Sequence, residues 1–212
     1  MIEAVIFDLD GVIVSTDDCH YRAWKRMADE EGIYFDREIN NRLRGVSRMA
    51  SLDIVLERAN REYSEDEKQA LAEKKNNYYK ELICKLTPND ILPGAMETLE
   101  ELKKNGIKIA IGSSSKNTSI ILKQIGLDTY FDAVSDGNNI THSKPNPEVF
   151  LKAAEMLGVE PNECMVVEDA DAGIEAGKCA GMKTLAVQGA RGADFKADDL
   201  EGFELLKAVK DM

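Results

Sequence analysis

A chain of 212 residues and 23.5 kDa has room for one large or two small domains and for a sizeable core. With 43% hydrophobic and 31% charged residues it has the make-up of an ordinary globular protein, which excludes disordered and fibrous classes. The 27 Lys and Arg against 39 Asp and Glu leave a net charge of −12. DNA, RNA or an anionic membrane would therefore be repelled, whereas a small anion needs only local positive charge.

The first apolar run, residues 2–7, reads as a buried strand. It does not read as a signal peptide, because Glu3 stands where a basic region belongs and Asp8 and Asp10 interrupt the run. No apolar stretch approaches the roughly 20 residues of a membrane span. Ser15 or Thr16 can N-cap a helix that ends before Gly32, with Asp17 and Asp18 well placed in its first turn. A second helix is predicted after Ser47 and a long one from about Ser64 to Lys85. From Pro88 onward helix and strand alternate. Pro93-Gly94 opens a helix closed by Gly106, followed by strand 107–111, helix 116–125 closed by Gly126, and a short strand near 132–134. A helix begins at Pro147 with proline in its first turn, and strand 164–167, helix 170–180 and strand 183–187 follow. Apolar strands separated by helices predict a parallel sheet covered on both faces. The expected fold is therefore α/β: a doubly wound, Rossmann-like parallel sheet core from residues 1–14 and 88–212, with an all-helical cap, residues 15–87, inserted after the first strand. Charge divides at the same place. Eight of the nine arginines lie between residues 15 and 86, a segment of net charge −1 in a host of −11. Chance clustering on solvated helices would give the same pattern. Cys19, Cys84, Cys164 and Cys179 are widely spread with no C-x-x-C, which fits reduced thiols of a cytoplasmic protein better than disulfides or a zinc site.

Ligands of doubly wound sheets bind beyond the carboxyl ends of the strands, so chemistry is sought there. The first strand runs into Asp8-Leu9-Asp10-Gly11, two acids at i and i+2. A turn alone explains Asp and Gly, but not two acids that both pay desolvation after a buried strand. Strand 107–111 runs into Gly112-Ser113-Ser114-Ser115-Lys116-Asn117, a run that either caps a helix or offers donors to an anion. Ser143-Lys144-Pro145-Asn146-Pro147 is a rigid loop with one ammonium group, otherwise an ordinary solvated lysine. Strand 164–167 ends in a second acidic pair, Glu168-Asp169, which helix N-termini also favour. Four carboxylates in one crevice would repel one another unless a hard cation such as Mg²⁺ joins them. Acids, hydroxyls and a cation at successive strand ends are the parts of phosphoryl transfer: a carboxylate nucleophile, Mg²⁺ bridging it to phosphate, Lys144 and Ser113 offsetting oxygen charge, and a second acid to move the proton.

Asp8-Leu9-Asp10-Gly11, Ser113, Lys144 and Glu168-Asp169 match in order the four motifs of the haloacid dehalogenase superfamily of phosphotransferases, which the chain resembles over nearly its whole length. A narrower resemblance, to the phosphoglucomutases of that superfamily, is carried by Phe7 to Ile13, His20 with Arg22-Ala23-Trp24, Gly45-Val46-Ser47-Arg48, Lys74-Lys75-Asn76, and Ser113-x-Ser115-Lys116-Asn117. It implies interconversion of β-glucose 1-phosphate and glucose 6-phosphate through bound β-glucose 1,6-bisphosphate. Asp8 is then the phosphorylated nucleophile and Asp10 the acid/base. Asp8, the Asp10 backbone carbonyl and Asp169 would hold Mg²⁺, with Glu168 in or beside that sphere. Arg48 would bind the phosphate not being transferred, and Ser51 and Lys75 would reach the sugar or that phosphate. Thr16, His20, Trp24, Gly45, Val46, Ser47, Ser114, Ser115, Lys116 and Asn117 complete the expected substrate site.

The cap residues also make physical sense on their own. A mutase must hold a bisphosphate at both ends, and the planar fork of an arginine suits the distal one. His20, one turn into the first cap helix with Trp24 on its face, could bridge Asp10 to the cap; a surface histidine and a cap-core tryptophan are the plainer readings. Ser15, Ala170 and Met49-Ala50 depart from the resemblance, the last beside the distal phosphate site. A sugar-phosphate phosphatase with the same core is the competing reading, and a non-catalytic binding or regulatory module a remoter one. A monomer acting on a small phosphosugar is expected.

Overall fold

The structure, a computed structural model, describes residues 1–44 and 46–210. In chain order the elements are β1 (Ala4–Phe7), α1 (Asp17–Glu30), α2 (Arg37–Asn41), α3 (Arg48–Leu56), α4 (Glu65–Ile83), α5 (Ala95–Lys104), β2 (Lys108–Gly112), α6 (Thr118–Gln124), β3 (Ala133–Ser135), α7 (Glu148–Leu157), β4 (Cys164–Glu168), α8 (Asp171–Cys179), β5 (Lys183–Ala186), β6 (Phe195–Lys196) and α9 (Leu205–Lys210). The strands form one parallel sheet in the order β3-β2-β1-β4-β5-β6.

Successive strand residues face opposite sides, and both sides are apolar. Val5, Phe7, Ile109, Ile111, Met165 and Val167 pack with Leu99 and Leu102 of α5 and Ile121 and Leu122 of α6. Ala4, Ile6, Ala110 and Val166 pack with Val149, Phe150 and Ala153 of α7. Helices on both faces are why the strands read as apolar runs and not as alternating ones. At the end of β2 only glycine fits: a Cβ on Gly112 would lie 2.7 Å from the Phe150 ring.

The elements between β1 and α5 are helices, and they carry an apolar cluster of their own, including Trp24, Met27, Phe35, Leu52, Val55 and Leu71. Ala23, Tyr79 and Ile83 instead join the cluster on the sheet. The two chain crossings run side by side: Val14 pairs with Ile91, and the Leu92 N–H donates to the Ile13 carbonyl at 2.9 Å.

The parallel α/β sheet agrees with the sequence reading, with differences in detail. Strand β1 begins at Ala4, α6 at Thr118, and Pro147 is the N-cap of α7 and not part of its first turn. Helices α2 and α9 and the two-residue β6 carry no sequence prediction. At α2 the Asp36 carboxylate accepts from the Ile39 N–H at 2.9 Å, but five residues are too few for a helical period. Ser47 and Ser64 cap α3 and α4, the latter with Glu67 in a capping box. Thr16 sits at the N-cap of α1 without capping it, because its hydroxyl is engaged elsewhere. All four cysteines are free thiols. Among the described residues no helix is long and apolar enough to cross a membrane.

Candidate active site

The strand order reverses direction at β1, which lies between β2 and β4, so the crevice of this sheet opens where those three strands end. Register then fixes the chemistry. Phe7 pairs with Val167, and the Asp8 N–H donates to the Val167 carbonyl at 2.9 Å, which sets the Asp8 side chain beside Glu168. The Lys144 Nζ lies 2.5 Å from Asp8 Oδ1 and 2.5 Å from Glu168 Oε1, and 4.7 Å from the centre of the Phe150 ring. All three charged groups are buried, and each is answered by another. Burial alone would lower the Lys144 ammonium, but the two carboxylates outweigh it and hold its pKa above the usual lysine value.

Carboxylate oxygens of Asp8, Glu168 and Asp169 lie within 4.8 Å of one another. Burial, with the charges of Asp8 and Glu168 added, pushes the Asp169 carboxyl up to about 8. Burial likewise raises Glu168, against the pull of Lys144. Three crowded, desolvated carboxylates form a hard oxygen donor set, and that set fits a divalent cation such as Mg²⁺. The loops pack without slack around it. A Cβ on Gly11, whose φ is +79°, would collide with the Asp169 carboxylate, and one on Gly173 would overlap that of Glu168.

The Asp10 carboxylate stands apart from this group and accepts a hydrogen bond from the Thr16 hydroxyl, which in turn accepts from the Tyr79 hydroxyl at 3.0 Å. Burial pushes the Asp10 carboxyl up to about 7, Asp8 adding to the rise and Thr16 opposing it. The bridge from Asp10 to the helical segment, expected of His20, is made here by Thr16 and through it Tyr79. His20 stacks on Tyr79 at 4.1 Å, and its Nδ1 lies 2.9 Å from Lys75 Nζ. Burial, then the charges of Lys75 and Arg48, hold the His20 imidazole well below its usual value. Burial and Arg48 push the Lys75 ammonium down to about 7, and the group lies 4.7 Å from the Trp24 ring.

The hydroxyl loop is internally tied. Ser113 and Ser115 accept from the backbone N–H groups of Ser115 and Asn117, each at 3.2 Å. Ser114 accepts from the Lys144 N–H at 3.3 Å, joining this loop to the lysine loop. Asn117 reaches across to α4, donating to Asn76 Oδ1 at 3.0 Å. Ser51 donates to the Val46 carbonyl at 3.4 Å, and Ser47 spends its hydroxyl on Ala50. Arg48 is half-buried. Arg22, Arg26, Arg37, Arg42, Arg44 and Arg61 of the same helical segment pair with carboxylates, whereas Arg48 and Arg58 have no such partner among the described residues; of these two, only Arg48 lines the cavity shared with Asp8 and Lys144.

One cavity of about 500 Å³ gathers these groups. It is lined by Asp8, Asp10, Ser113, Lys144, Glu168 and Asp169 from the strand ends, by Ser114, Ser115, Lys116 and Asn117 from the hydroxyl loop, and by Thr16, His20, Trp24, Val46, Ser47, Arg48, Ser51 and Lys75 from the helical segment. Gly45, expected in the substrate site, lies outside the described residues.

A model of the haloacid dehalogenase-like hydrolase family matches residues 2–181. The chain belongs to this family. It is 46% identical over 188 residues to a β-phosphoglucomutase of Bacillus subtilis, covering 88% of this chain and 83% of that one. A phosphorylated carbohydrates phosphatase of Thermotoga maritima is 33% identical over 87% of this chain and 84% of its own. The crystal structure of a β-phosphoglucomutase from Clostridium difficile superposes with a TM-score of 0.91 at 43% identity, covering 100% of this chain and 98% of that one.

The family's motifs do not point to every residue at this site. Tyr79 lines the cavity from the face that also carries Lys75, and the i, i+4 spacing on a predicted helix would have found it. Asn40, Asn76 and Gln188 also line the cavity. Asn76 stood beside Lys75 in a recognisable run; nothing in the sequence marks the other two. What the arrangement can do follows from its charges. The Asp8 carboxylate is held by a lysine, and the Asp10 carboxyl, which burial pushes up to about 7, is met by a threonine hydroxyl. Arg48, without a carboxylate partner among the described residues, reaches the same cavity from the helical segment.

Proposed function

We propose that the protein is a Mg²⁺-dependent phosphosugar mutase that interconverts β-glucose 1-phosphate and glucose 6-phosphate through a phosphorylated Asp8 and a β-glucose 1,6-bisphosphate intermediate. The observation that carries this reading is the half-buried Arg48, with no carboxylate partner among the described residues, together with the buried Lys75, in the cavity that also holds Asp8 and Lys144. A phosphatase needs cations for one phosphate; a bisphosphate needs them in two places, and an arginine with its fork unspent is suited to the second.

Residues 15–87 act in this reading as a cap over a core of residues 1–14 and 88–212. Asp8 attacks a phosphorus of the bisphosphate, the bond from that phosphorus to the sugar oxygen breaks, and Asp10 gives its proton to that oxygen, which leaves a phosphorylated Asp8 and a glucose monophosphate. A carboxyl pushed up to about 7 keeps a useful protonated fraction near neutrality, and Thr16 aims it. Phosphorylated Asp8 passes the group to the 6-hydroxyl of β-glucose 1-phosphate while Asp10 takes that proton. The bisphosphate so formed turns end for end. Asp8 then attacks its 1-phosphorus while Asp10 returns the proton to the departing O1, freeing glucose 6-phosphate and leaving Asp8 phosphorylated. Lys144 and Ser113 face the oxygens of the transferring group, while Arg48 holds the far phosphate. When bound by Asp8, Asp169 and the Asp10 carbonyl, with Glu168 in or beside that sphere, Mg²⁺ would supply charge stabilisation to the phosphoryl oxygens.

A sugar-phosphate phosphatase is the second reading, favoured by the 33% identity to the Thermotoga maritima phosphatase. The test mixes the protein with β-glucose 1-phosphate, Mg²⁺ and a trace of the bisphosphate, and follows glucose 6-phosphate and free phosphate together. A mutase yields glucose 6-phosphate with little free phosphate. Free phosphate in step with substrate loss would overturn the mutase reading.

A further inference from the structure

After β5 the chain turns back across the acidic strand ends before forming β6. In that turn Gln188, with φ of +51°, is the one non-glycine residue of positive φ among the described residues. L side chains avoid this region, and strained backbone persists where the surroundings impose it. The strain accompanies a contact: Gln188 Nε2 donates to the Gly11 carbonyl at 2.6 Å, across 177 positions of sequence. Three residues later Arg191 grips Asp171, with its backbone N–H at 2.8 Å and its guanidinium at 2.9 and 2.5 Å. Gly11 follows Asp10, and Asp171 lies two residues beyond Asp169. Between the two grips Ala190 is buried against Ala186 of β5 and Ile174 of α8. The preceding residue, Val187, donates to the Glu168 carbonyl at 2.8 Å.

We propose that residues 188–191 form a strap that sets the spacing between the two acidic loops, with Gln188 and Arg191 as positioning residues for phosphoryl transfer at the site between them. The proposal rests on the reading of Asp8, Asp10, Glu168 and Asp169 as one reacting site. Its physical basis is repulsion. Four carboxylates on two loops push those loops apart, and Lys144 answers only Asp8 and Glu168. Asp10 and Asp169 have no cation of their own in these contacts, and their loops are the two the strap joins. Gly11 and Asp169 are packed so closely that a Cβ does not fit, so a small shift of the Gly11 peptide alters the gap between the acids. An exposed ion pair is worth little by itself, but here a fork and a backbone N–H hold one carboxylate together, at the end of a segment pinned by Ala190.

Two variants separate this role from ordinary loop stability. Gln188→Gly removes both the donor and the strain; Gln188→Met removes the donor and keeps side-chain length and strain. Each is measured for kcat and KM on a simple aryl phosphate, for Mg²⁺ affinity by calorimetric titration, and for Tm. Both variants should lose about tenfold in kcat and about tenfold in Mg²⁺ affinity, the usual effect of removing a group that orients metal ligands. The glycine variant should unfold no lower than the wild type, and Arg191→Met should follow the same pattern. A fall in Tm with kcat and Mg²⁺ affinity unchanged would reduce the segment to a structural loop and overturn the proposal. Unchanged kcat and affinity in Gln188→Met would overturn it equally. If the wild type turned over no phosphate ester, the functional reading would fall, and the Mg²⁺ titration alone would decide the strap.

Discussion

At the residue scale, cations reach the cavity in two kinds of setting. Lys144 is buried between two carboxylates and stays charged, whereas Lys75 is buried against a histidine and two aromatic rings and is pushed down to about 7. That difference has a sign in stability. Between about 7 and the ordinary lysine value of 10.5 the unfolded chain holds a proton at Lys75 that the folded chain has released. Stability therefore rises with pH across this window and is lost as pH falls towards 7. Lys75→Met should be more stable than wild type near pH 7, and the gap should close by about 1.4 kcal/mol per pH unit towards pH 10. Urea unfolding at pH 7, 8 and 9 measures this; a gap independent of pH would mean that Lys75 stays protonated when folded. Arg48 answers a different question. In Arg48→Ala, kcat/KM on β-glucose 1-phosphate should fall at least a hundredfold, because binding energy at the far phosphate orients the reacting end. Hydrolysis of an aryl phosphate, which has no second phosphate, should change less than threefold. Equal losses on both substrates would remove the reason for preferring a mutase.

At the element scale, helix α8 carries a glycine where propensity asks for something else. In an exposed helix Gly173→Ala would gain roughly 0.5–1 kcal/mol. Here a Cβ at residue 173 would overlap the Glu168 carboxylate, and Glu168 cannot move without leaving Lys144 and the Ala170 N–H. The substitution should therefore lower Tm and weaken Mg²⁺ binding; a higher Tm with normal turnover would show that Glu168 has another place to go. The same element explains what the sequence made legible. Asp8 and Glu168 could be read as partners because apolar strands fix a register and acids at their ends have nowhere else to point. Contacts that depend on how the inserted helices settle on the core were not legible. The Thr16 hydroxyl looked like a helix cap and serves Asp10 instead, and Asn117 looked like a helix start and reaches Asn76. Helix α2, of five residues, and β6, of two, are too short to show a period, and packing places them. Gln188 has no signature at all, since its role depends on a turn closing over residues 177 positions earlier.

At the scale of the whole molecule, the cavity is walled on one side by the strand ends and on the other by the helical insert, and the insert is joined to the core by two crossings that lie together. On the proposed reading, the insert would turn about the paired segment at residues 13–14 and 91–92. The proposed chemistry needs such a movement, because an acyl phosphate on Asp8 must be shielded from water while the bisphosphate turns, and the space present here, about 500 Å³, also admits water. On the proposed reading, the variant Asp8→Asn cannot form the acyl phosphate and should hold bisphosphate without consuming it. With Mg²⁺ and β-glucose 1,6-bisphosphate its radius of gyration in small-angle scattering should fall. The emission of Trp24, the one tryptophan of the chain and part of the cavity wall, should shift in step. The double variant with Arg48→Ala should show neither response at the same ligand concentration, because the far phosphate would no longer draw the insert inward. Identical scattering with and without bisphosphate in Asp8→Asn, at concentrations where calorimetry records binding, would mean that the insert does not move, and protection of the phosphorylated aspartate would have to come from the bound sugar alone.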